Sequence, residues 1–494
     1  MSPTATRTAT RSRHFAAPGL GFKVGAVAVA MALVSNLTSL VSPQAAAAPL
    51  AKTPSHPSAV VAVPGRAAAR LSWKAPSSAG GRPITGYYVT PHRGSIVGKT
   101  RWFAGTATKR RVSRLIDGAG YQFTVVAANS AGTGPASPWS NYVTPSTVPG
   151  TPTRAASSAR DRQATVMWEV PRPTLYPITS YVITPYADGR RLPATRVAPS
   201  VNAAIVAGLH DGTAYRFTVV AVNAIGDSHA SNLTNASVPG RDPTTFYEGF
   251  NRSAGSGPNA GLAKPVWHLD GCWTRGCGNH SDAEYLRSNT FQDGKGALVL
   301  RATSKATKAM CGGRRCDYTG AGIHMYRADG SASWSQQYGT FSARVKLPRG
   351  PGLWPAFWLV GSNEARVGWP SCGEIDTLEA DGDNTSLVQQ HIHYGSTNHQ
   401  VGSAWKLPHS ESTAGWHTYS ITWSASGIVW SVDGTPTMVV LASTLGPAVW
   451  HSFFAHPFTI NLDLTVDGTY VSPPTPATHF PAEMFVDDVK VTRS

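Results

Sequence analysis

Three carboxylates stand within six residues in the stretch Cys372-Gly373-Glu374-Ile375-Asp376-Thr377-Leu378-Glu379. They are interleaved with Ile and Leu, and no Lys or Arg lies between Arg366 and Lys406 to neutralise them locally. A β-strand sends successive side chains to opposite faces, so Glu374 and Asp376 share a face. Glu379, five positions from Glu374, falls on the other face unless a bulge at Thr377 or Leu378 restores the parity. With that bulge, three acids line one surface, and their mutual repulsion makes at least one of them hold its proton near neutrality. A protonated acid beside an ionised carboxylate is what glycosidic bond cleavage requires. The plain structural alternative is an acid-rich, solvated strand edge.

The neighbouring residues favour the chemical reading. Upstream lie Gly352-Leu353-Trp354-Pro355-Ala356-Phe357-Trp358 and Gly368-Trp369-Pro370, and downstream lies His391-Ile392-His393-Tyr394-Gly395. Trp354 and Trp358 are four apart and therefore share a strand face, as do Gln389, His391 and His393. Sugar rings present C–H faces that stack on aromatic rings, which makes Trp354, Trp358 and Trp369 candidates for substrate binding, although Trp also serves as core. His393 is placed to reach a carboxyl or a sugar hydroxyl, or else to pack.

Taken together, the Trp-Pro-Ala-Phe-Trp segment, the Glu-x-Asp-x-x-Glu segment and the His-Tyr-Gly segment resemble glycoside hydrolase family 16. The extra residue in the acid motif resembles the laminarinase-type branch more than lichenases. The likeness runs from residue 243 to 494. It implies a β-jelly-roll (concanavalin A-like) sandwich with a substrate cleft on its concave sheet, and retaining hydrolysis. By the same resemblance Glu374 is the nucleophile and Glu379 the acid/base. Asp376 lies between them, hydrogen-bonding Glu374 and helping Glu379 keep its proton. No cofactor is required for this chemistry. The resemblance also implies a structural calcium on the convex face, where Asp487 matches a ligand position and Glu248 lies nearby. The expected activity is that of a secreted, endo-acting hydrolase of β-1,3- or β-1,3/1,4-glucan. The alternatives are a non-catalytic carbohydrate-binding or adhesive cell-wall protein, and a family 16 hydrolase acting on a galactan. Ala380-Asp381 and Asn461-Leu462-Asp463 depart from the family pattern and leave the sugar subsites open.

The elements that must position these residues are strands. The chain of 494 residues has 48 Gly, 37 Pro and only 14% charged residues, a composition that suits turn-rich all-β domains. Tyr338 to Lys346 alternates cleanly, and Met484 to Val491 reads as a closing strand. Residues 1–48 read as an export signal: Arg7, Arg11, Arg13 and Lys23 precede an apolar run from Val24 to Val34, and small residues follow at Ala45 to Ala48. A membrane anchor is the competing reading. Extracellular localisation follows from the export signal.

Between signal and hydrolase lies an internal repeat. Leu71-Ser72-Trp73, Ile84-Thr85-Gly86-Tyr87 and Tyr121-Gln122-Phe123 recur as Val166-Met167-Trp168, Ile178-Thr179-Ser180-Tyr181 and Tyr215-Arg216-Phe217, at offsets of 95, 94 and 94 residues. That period is a whole small domain. Both copies, at residues 53–146 and 148–240, resemble fibronectin type III domains, immunoglobulin-like sandwiches in which the Trp is a core anchor and the Tyr a corner. Residues 1–242 carry 25 Lys+Arg against 7 Asp+Glu, net +18, whereas residues 243–494 carry 18 against 20, net −2. The basic excess therefore belongs to the export signal and the repeats. A basic surface binds nucleic acid, acidic polymer or membrane. No nucleic-acid motif accompanies it, so an anionic cell-wall surface is the expected partner beside the polysaccharide substrate, and the chain is expected to be a monomer. All five cysteines lie in the last domain. Cys272, Cys277, Cys311 and Cys316 allow three disulfide connectivities, of which the local pairs Cys272–Cys277 and Cys311–Cys316 are the simplest. A zinc site is disfavoured by spacing. Cys372 is left as a small apolar residue near the acids.

Overall fold

The computed structural model describes residues 51–240, 244–269, 283–311, 314–408 and 411–493. The expected export segment and the Cys272–Cys277 pair lie outside the described residues.

Each repeat folds as a sandwich of two antiparallel sheets. In the first copy, the strands Ser58–Gly65, Ala68–Lys74 and Lys109–Ser113 face a sheet centred on Ile84–Arg93 and Gln122–Asn129. Period-two alternation puts Leu71, Trp73, Tyr87, Val89, Phe123 and Val125 between the sheets. The second copy buries Val166, Trp168, Tyr181, Ile183, Phe217 and Val219 in the same way. Tyr121 Oη accepts from the Ile116 amide at 3.2 Å and Tyr215 Oη from the His210 amide at 3.1 Å, so both corners close on the residue five positions upstream. The Trp and Tyr residues are core, as the repeat pattern predicts.

The last domain is a two-sheet sandwich. One sheet of eight strands includes Leu298–Ala302, Ala482–Thr492, Gly339–Lys346, Trp416–Ser424, Gly427–Val432 and Thr435–Leu441. The other has seven, in the order Ala283–Tyr285, Tyr318–His324, Phe458–Val466, Leu353–Gly361, Glu374–Glu379, Leu387–Tyr394 and His399–Lys406. Their facing sides bury one continuous core that includes Phe341, Ile421, Trp423, Phe357, Leu359, Ile375, Ile392 and Leu462. Burying side chains of this size yields roughly 1.5–3 kcal/mol each before entropy is counted, so the inner face rigidly fixes the strand register. The opposite face of the seven-stranded sheet is thereby left to carry polar groups. The Cys311–Cys316 disulfide is formed, as the local pairing predicts.

The second repeat does not hang free. Its Met167 and Ala203 pack with Val429 and Leu441 of the eight-stranded sheet in one buried cluster. Arg154 Nη1 donates to the Ser443 carbonyl at 3.0 Å and Arg160 Nη1 to Thr422 Oγ1 at 3.3 Å across the same contact.

Candidate active site

The Glu374–Glu379 strand contains the bulge that the acid spacing requires. Against its upstream neighbour, Phe357 pairs with Leu378 and Trp358 with Asp376, so Thr377 is the extra residue. Against its downstream neighbour, Asp376 pairs with His391 and Glu379 with Gln389. A bulge strands ladder carbonyls that need other partners. Trp430 Nε1, reaching from the eight-stranded sheet, donates to the Asp376 carbonyl at 2.7 Å, and Gln390 Nε2 donates to the Thr377 carbonyl at 3.4 Å. Gln390 is itself held by Thr437 Oγ1 at 2.7 Å. Ile375 and Leu378 point into the core while the three carboxylates emerge on the opposite face.

Each carboxylate has its own surroundings. Glu374 Oε2 accepts from Trp369 Nε1, and the Glu374 and Asp376 carboxyls hydrogen-bond one another. Glu379 accepts from Trp354 Nε1 at 3.2 Å through Oε1 and meets His391 Nδ1 at 2.8 Å through Oε2. The His391 ring lies over Gly402 of the next strand, where a Cβ would come within 1.8 Å of its Cδ2. His393 Nδ1 is 2.8 Å from Asn398 Oδ1, which leaves Nε2 facing Asp376 Oδ2 at 3.4 Å. A fourth acid joins the face: Asp463 accepts from Trp358 Nε1 at 2.7 Å and from Tyr285 Oη at 2.9 Å. Asn461 lies opposite both Trp358 and His324 in the ladder, and its buried amide has no hydrogen-bond partner on either atom.

Burial and crowding set the protonation. Asp376 is pushed well above the usual carboxylate range by desolvation, then by the charges of Glu374 and Glu379. Glu374 is raised by burial and by Glu379, against the opposing pull of His393 and of its hydrogen bond to Asp376. Asp463 is pushed up to about 6 by burial, moderated by its bonds to Trp358 and Tyr285. Asp376 is raised further than Glu374, so it is the acid of the pair that holds the proton more firmly, and the hydrogen bond between the two carboxyls runs from Asp376 to Glu374.

The expected residues thus come together, with one role changed and one added: a protonated Asp376 carries no charge with which to hold the proton of Glu379, and the tryptophans acquire a second task. Trp354, Trp358 and Trp369 all donate indole N–H groups to carboxylates of the face, so they position acids as well as offering rings. One face of Trp354 is covered by Tyr470, at 4.9 Å between ring centroids. Residues missing from the sequence reading are His391 as the partner of Glu379, together with Asp463 and Tyr285. His391 was visible as a face-mate of His393, whereas Tyr285 comes from a three-residue parallel strand too short to leave a pattern. Cys372 is buried beside Tyr326 and Val360, with its thiol pushed up by burial, and it stays apolar in character. The two residues that the resemblance implies for calcium each have another partner. Asp487 is paired with Arg344 at 2.5 Å, and Glu248 is buried with its carboxylate capping the Phe250 amide at 2.8 Å. Neither belongs to a group of three ligand-bearing side chains among the described residues.

Residues 278–468 match the model of glycosyl hydrolases family 16, and residues 53–143 and 150–237 match that of the fibronectin type III domain. The hydrolase match is narrower than the sandwich, whose eight-stranded sheet also takes Thr244–Glu248 and Ala482–Thr492. The chain is 35% identical to glucan endo-1,3-beta-glucosidase A1 of Niallia circulans over 32% of its own length and 24% of that protein, so it spans about a quarter of that relative. The laminarinase catalytic domain of Thermotoga petrophila RKU-1 aligns at 28% identity over 51% of this chain and 98% of that one, with a TM-score of 0.45. A beta-glucanase of Rhodothermus marinus is 31% identical over 47% of this chain and 82% of its own length. With that relative matched over most of its length and the acid face in place, the chain belongs to glycosyl hydrolase family 16 and carries two fibronectin type III domains ahead of the hydrolase.

Proposed function

We propose that this protein is a secreted, endo-acting hydrolase of β-1,3- or β-1,3/1,4-glucan that works by double displacement with retention. The observation that carries the reading is the bulged strand, which brings Glu374, Asp376 and Glu379 to one face in two different proton environments. Glu374, kept ionised by the hydrogen bond from protonated Asp376 and oriented by Trp369, attacks the anomeric carbon. Glu379, held between Trp354 and His391, protonates the departing oxygen and then deprotonates the incoming water. Formation of the glycosyl ester removes the charge on Glu374, which is the largest charge opposing ionisation of Asp376. Asp376 becomes more acidic at that step and reverts when the ester is hydrolysed, so its proton follows the cycle. Trp358, held on Asp463, and the unpartnered Asn461 amide offer a stacking surface and hydroxyl contacts for sugar units.

Two names among the relatives, glucan endo-1,3-beta-glucosidase and beta-glucanase, support glucan as the substrate class. The reading needs one copy of the chain, since every residue named comes from a single sandwich. The Cys311–Cys316 disulfide supports an oxidising, extracellular setting. The test is reducing-end release on laminarin, lichenan and a galactan, with NMR of the anomer first formed. Release of β-anomer from laminarin or lichenan is expected. Initial α-anomer refutes retention, and cleavage of galactan alone refutes the substrate class.

A further inference from the structure

The two repeats share a fold but not a surface. In the first copy, one outward sheet face carries a strip of exposed aromatic rings. Trp102 is 44% exposed, Trp139 53% and Tyr142 65%. The backbone is adapted to two of them. A Cβ at Gly86 would come within 2.4 Å of the Trp102 ring, and one at Gly120 within 1.6 Å of Tyr142 Oη, so both rings lie down on glycine backbone. Tyr88 leans on Trp102 at 4.6 Å, and His92 on Trp139 at 4.3 Å. Strand pairing sets Tyr88, Trp102 and His92 on one face, with Tyr88 opposite Trp102 and Val126 and His92 opposite Gln122, and Trp139 and Tyr142 join that face through His92 and Gly120. From Gly86 to His92 the strip spans about 20 Å at the strand rise. Hydroxyl groups line it, with Thr90 Oγ1 and Thr100 Oγ1 2.8 Å apart and Thr124 Oγ1 3.0 Å from the His92 ring.

None of this is required by the fold, as the second copy shows. At the matching positions it has Ser180 for Gly86, Val182 for Tyr88, Arg196 for Trp102, Leu233 for Trp139 and Ala236 for Tyr142. Charge follows the same division. Residues 53–146 hold 11 Lys+Arg against Asp117 alone, net +10, whereas residues 148–240 hold 8 against 5, net +3. Arg101 precedes Trp102 but, by strand parity, points to the opposite side, toward Arg114, and Arg110 donates to the Ala104 carbonyl of the same strand at 2.8 Å, so the basic groups lie along the sandwich edge that borders the aromatic face, where the exposed Lys99 adjoins Thr100. The second copy instead spends its opposite sheet on the hydrolase, through Met167 and Ala203.

We propose that the outward aromatic face of the first repeat is a binding site for an acidic polysaccharide, its rings stacking on sugar C–H faces and its arginine-rich edge pairing with the polymer's carboxylates or phosphates. Rings lying flat on a sheet present π-faces to a chain laid across them, which suits pyranose units. A domain of net +10 with one acid has no internal partner for its charge, which selects an anionic polymer over a neutral one. The site is separate from the hydrolytic face and does not depend on which glycan that face cleaves.

The test is binding of the full chain to polygalacturonate by affinity electrophoresis, with laminarin and inorganic polyphosphate as the two comparison polymers. Trp102→Ala, Trp139→Ala and Tyr142→Ala change exposed rings, and a fourth variant, Lys99→Glu, changes only exposed charge. Binding to polygalacturonate should weaken as salt rises, and the triple aromatic variant should lose at least about tenfold in affinity, since three stacking surfaces are removed together. Polyphosphate binding and cleavage of soluble glucan should be unchanged by the aromatic variants. Absence of polygalacturonate binding overturns the proposal, as does retention of full affinity by the triple variant. Laminarin bound at this face as tightly as polygalacturonate overturns the acidic assignment. If the triple variant loses its native melting transition, Trp102→Ala alone and Lys99→Glu carry the same comparison, and unchanged affinity in both is a refutation.

Discussion

Asp463 offers a direct measurement of what the acid face costs the fold. Burial raises its carboxyl from the ordinary 3.8 to about 6, despite two donated hydrogen bonds. A group whose folded pKa is raised binds its proton more readily in the native state. Its contribution is therefore favourable below the unfolded pKa and is lost as pH climbs from about 4 through 6. A difference of about two pH units corresponds to roughly 3 kcal/mol if the site were dry. Asp463 borders the cleft and retains some solvent contact, so about 1–2 kcal/mol is the expected observable part. Asn is nearly isosteric: its Oδ1 still accepts from Trp358, and its amide donates to the Tyr285 oxygen in place of the reverse bond. Asp463→Asn should thus leave the hydrolase transition almost unchanged at pH 4.5 and raise it by about 2–8 °C at pH 8, read by calorimetry on the full chain. The hydrolase transition must be resolved from those of the repeats, because a multidomain chain need not melt in one step. An equal shift at both pH values, or a loss at pH 8 larger than that at pH 4.5, refutes the claim that desolvation controls this acid.

Four further outcomes follow from the same geometry. Glu374→Gln should lower turnover of laminarin by about a thousandfold or more, because no neighbour replaces that oxygen at the anomeric carbon; retention of a tenth of wild-type rate contradicts the assignment. Glu379→Ala should spare formation of the glycosyl-enzyme from an aryl glycoside with a good leaving group, and added azide should then accelerate turnover and give the β-azide, with an α product refuting the assigned pair. Gly402→Ala should cut kcat and cost some stability, since the new methyl occupies the space of the His391 ring that contacts Glu379 and crowds the Gln390 carbonyl; unchanged kcat shows that His391 is dispensable. Removing residues 1–240 should lower the melting temperature of the hydrolase while leaving Glu374 and Glu379 competent, because Val429 and Leu441 lose their cover of Met167 and Ala203; an unchanged temperature means that the docking contributes nothing.

Much of this was legible because it is local. Strand parity plus one bulge places Glu374, Asp376 and Glu379 on a common face from six residues of sequence. The repeats announce themselves at a 94-residue offset, and their Trp and Tyr cores need only period-two alternation. Sequence does not show which side chain meets which acid across strands. His391 and His393 are equivalent by parity, yet only His391 has Gly402 beside it to admit its ring toward Glu379. Asp463 is separated from Tyr285 by 178 residues and reaches it only through the strand order of the seven-stranded sheet. The docking of the second repeat is equally invisible, since Met167 and Ala203 alternate like any half-buried strand residues. Asp487, matched by motif, pairs with Arg344 of the adjoining strand, a partner that the motif does not announce.

The bulge ties the chemistry to the core more tightly than motif spacing reveals. Its two stranded carbonyls are captured by Trp430 and Gln390, and Trp430 is a fully buried residue of the opposite sheet. The register that aligns the acids is thus fixed from the inner side by packing, while their protonation is fixed from the outer side by crowding. A slip by one residue at Thr377 would turn Leu378 outward and Glu379 inward, stranding an unpaired carboxylate in the core beside Ile392 and Leu462, a cost of roughly several kcal/mol. The same event would strip Trp430 of its acceptor, leaving a buried indole N–H unpaired. Both penalties fall on the inner face, so the register that brings Glu374, Asp376 and Glu379 to one surface is also the one that the packing of the sandwich favours.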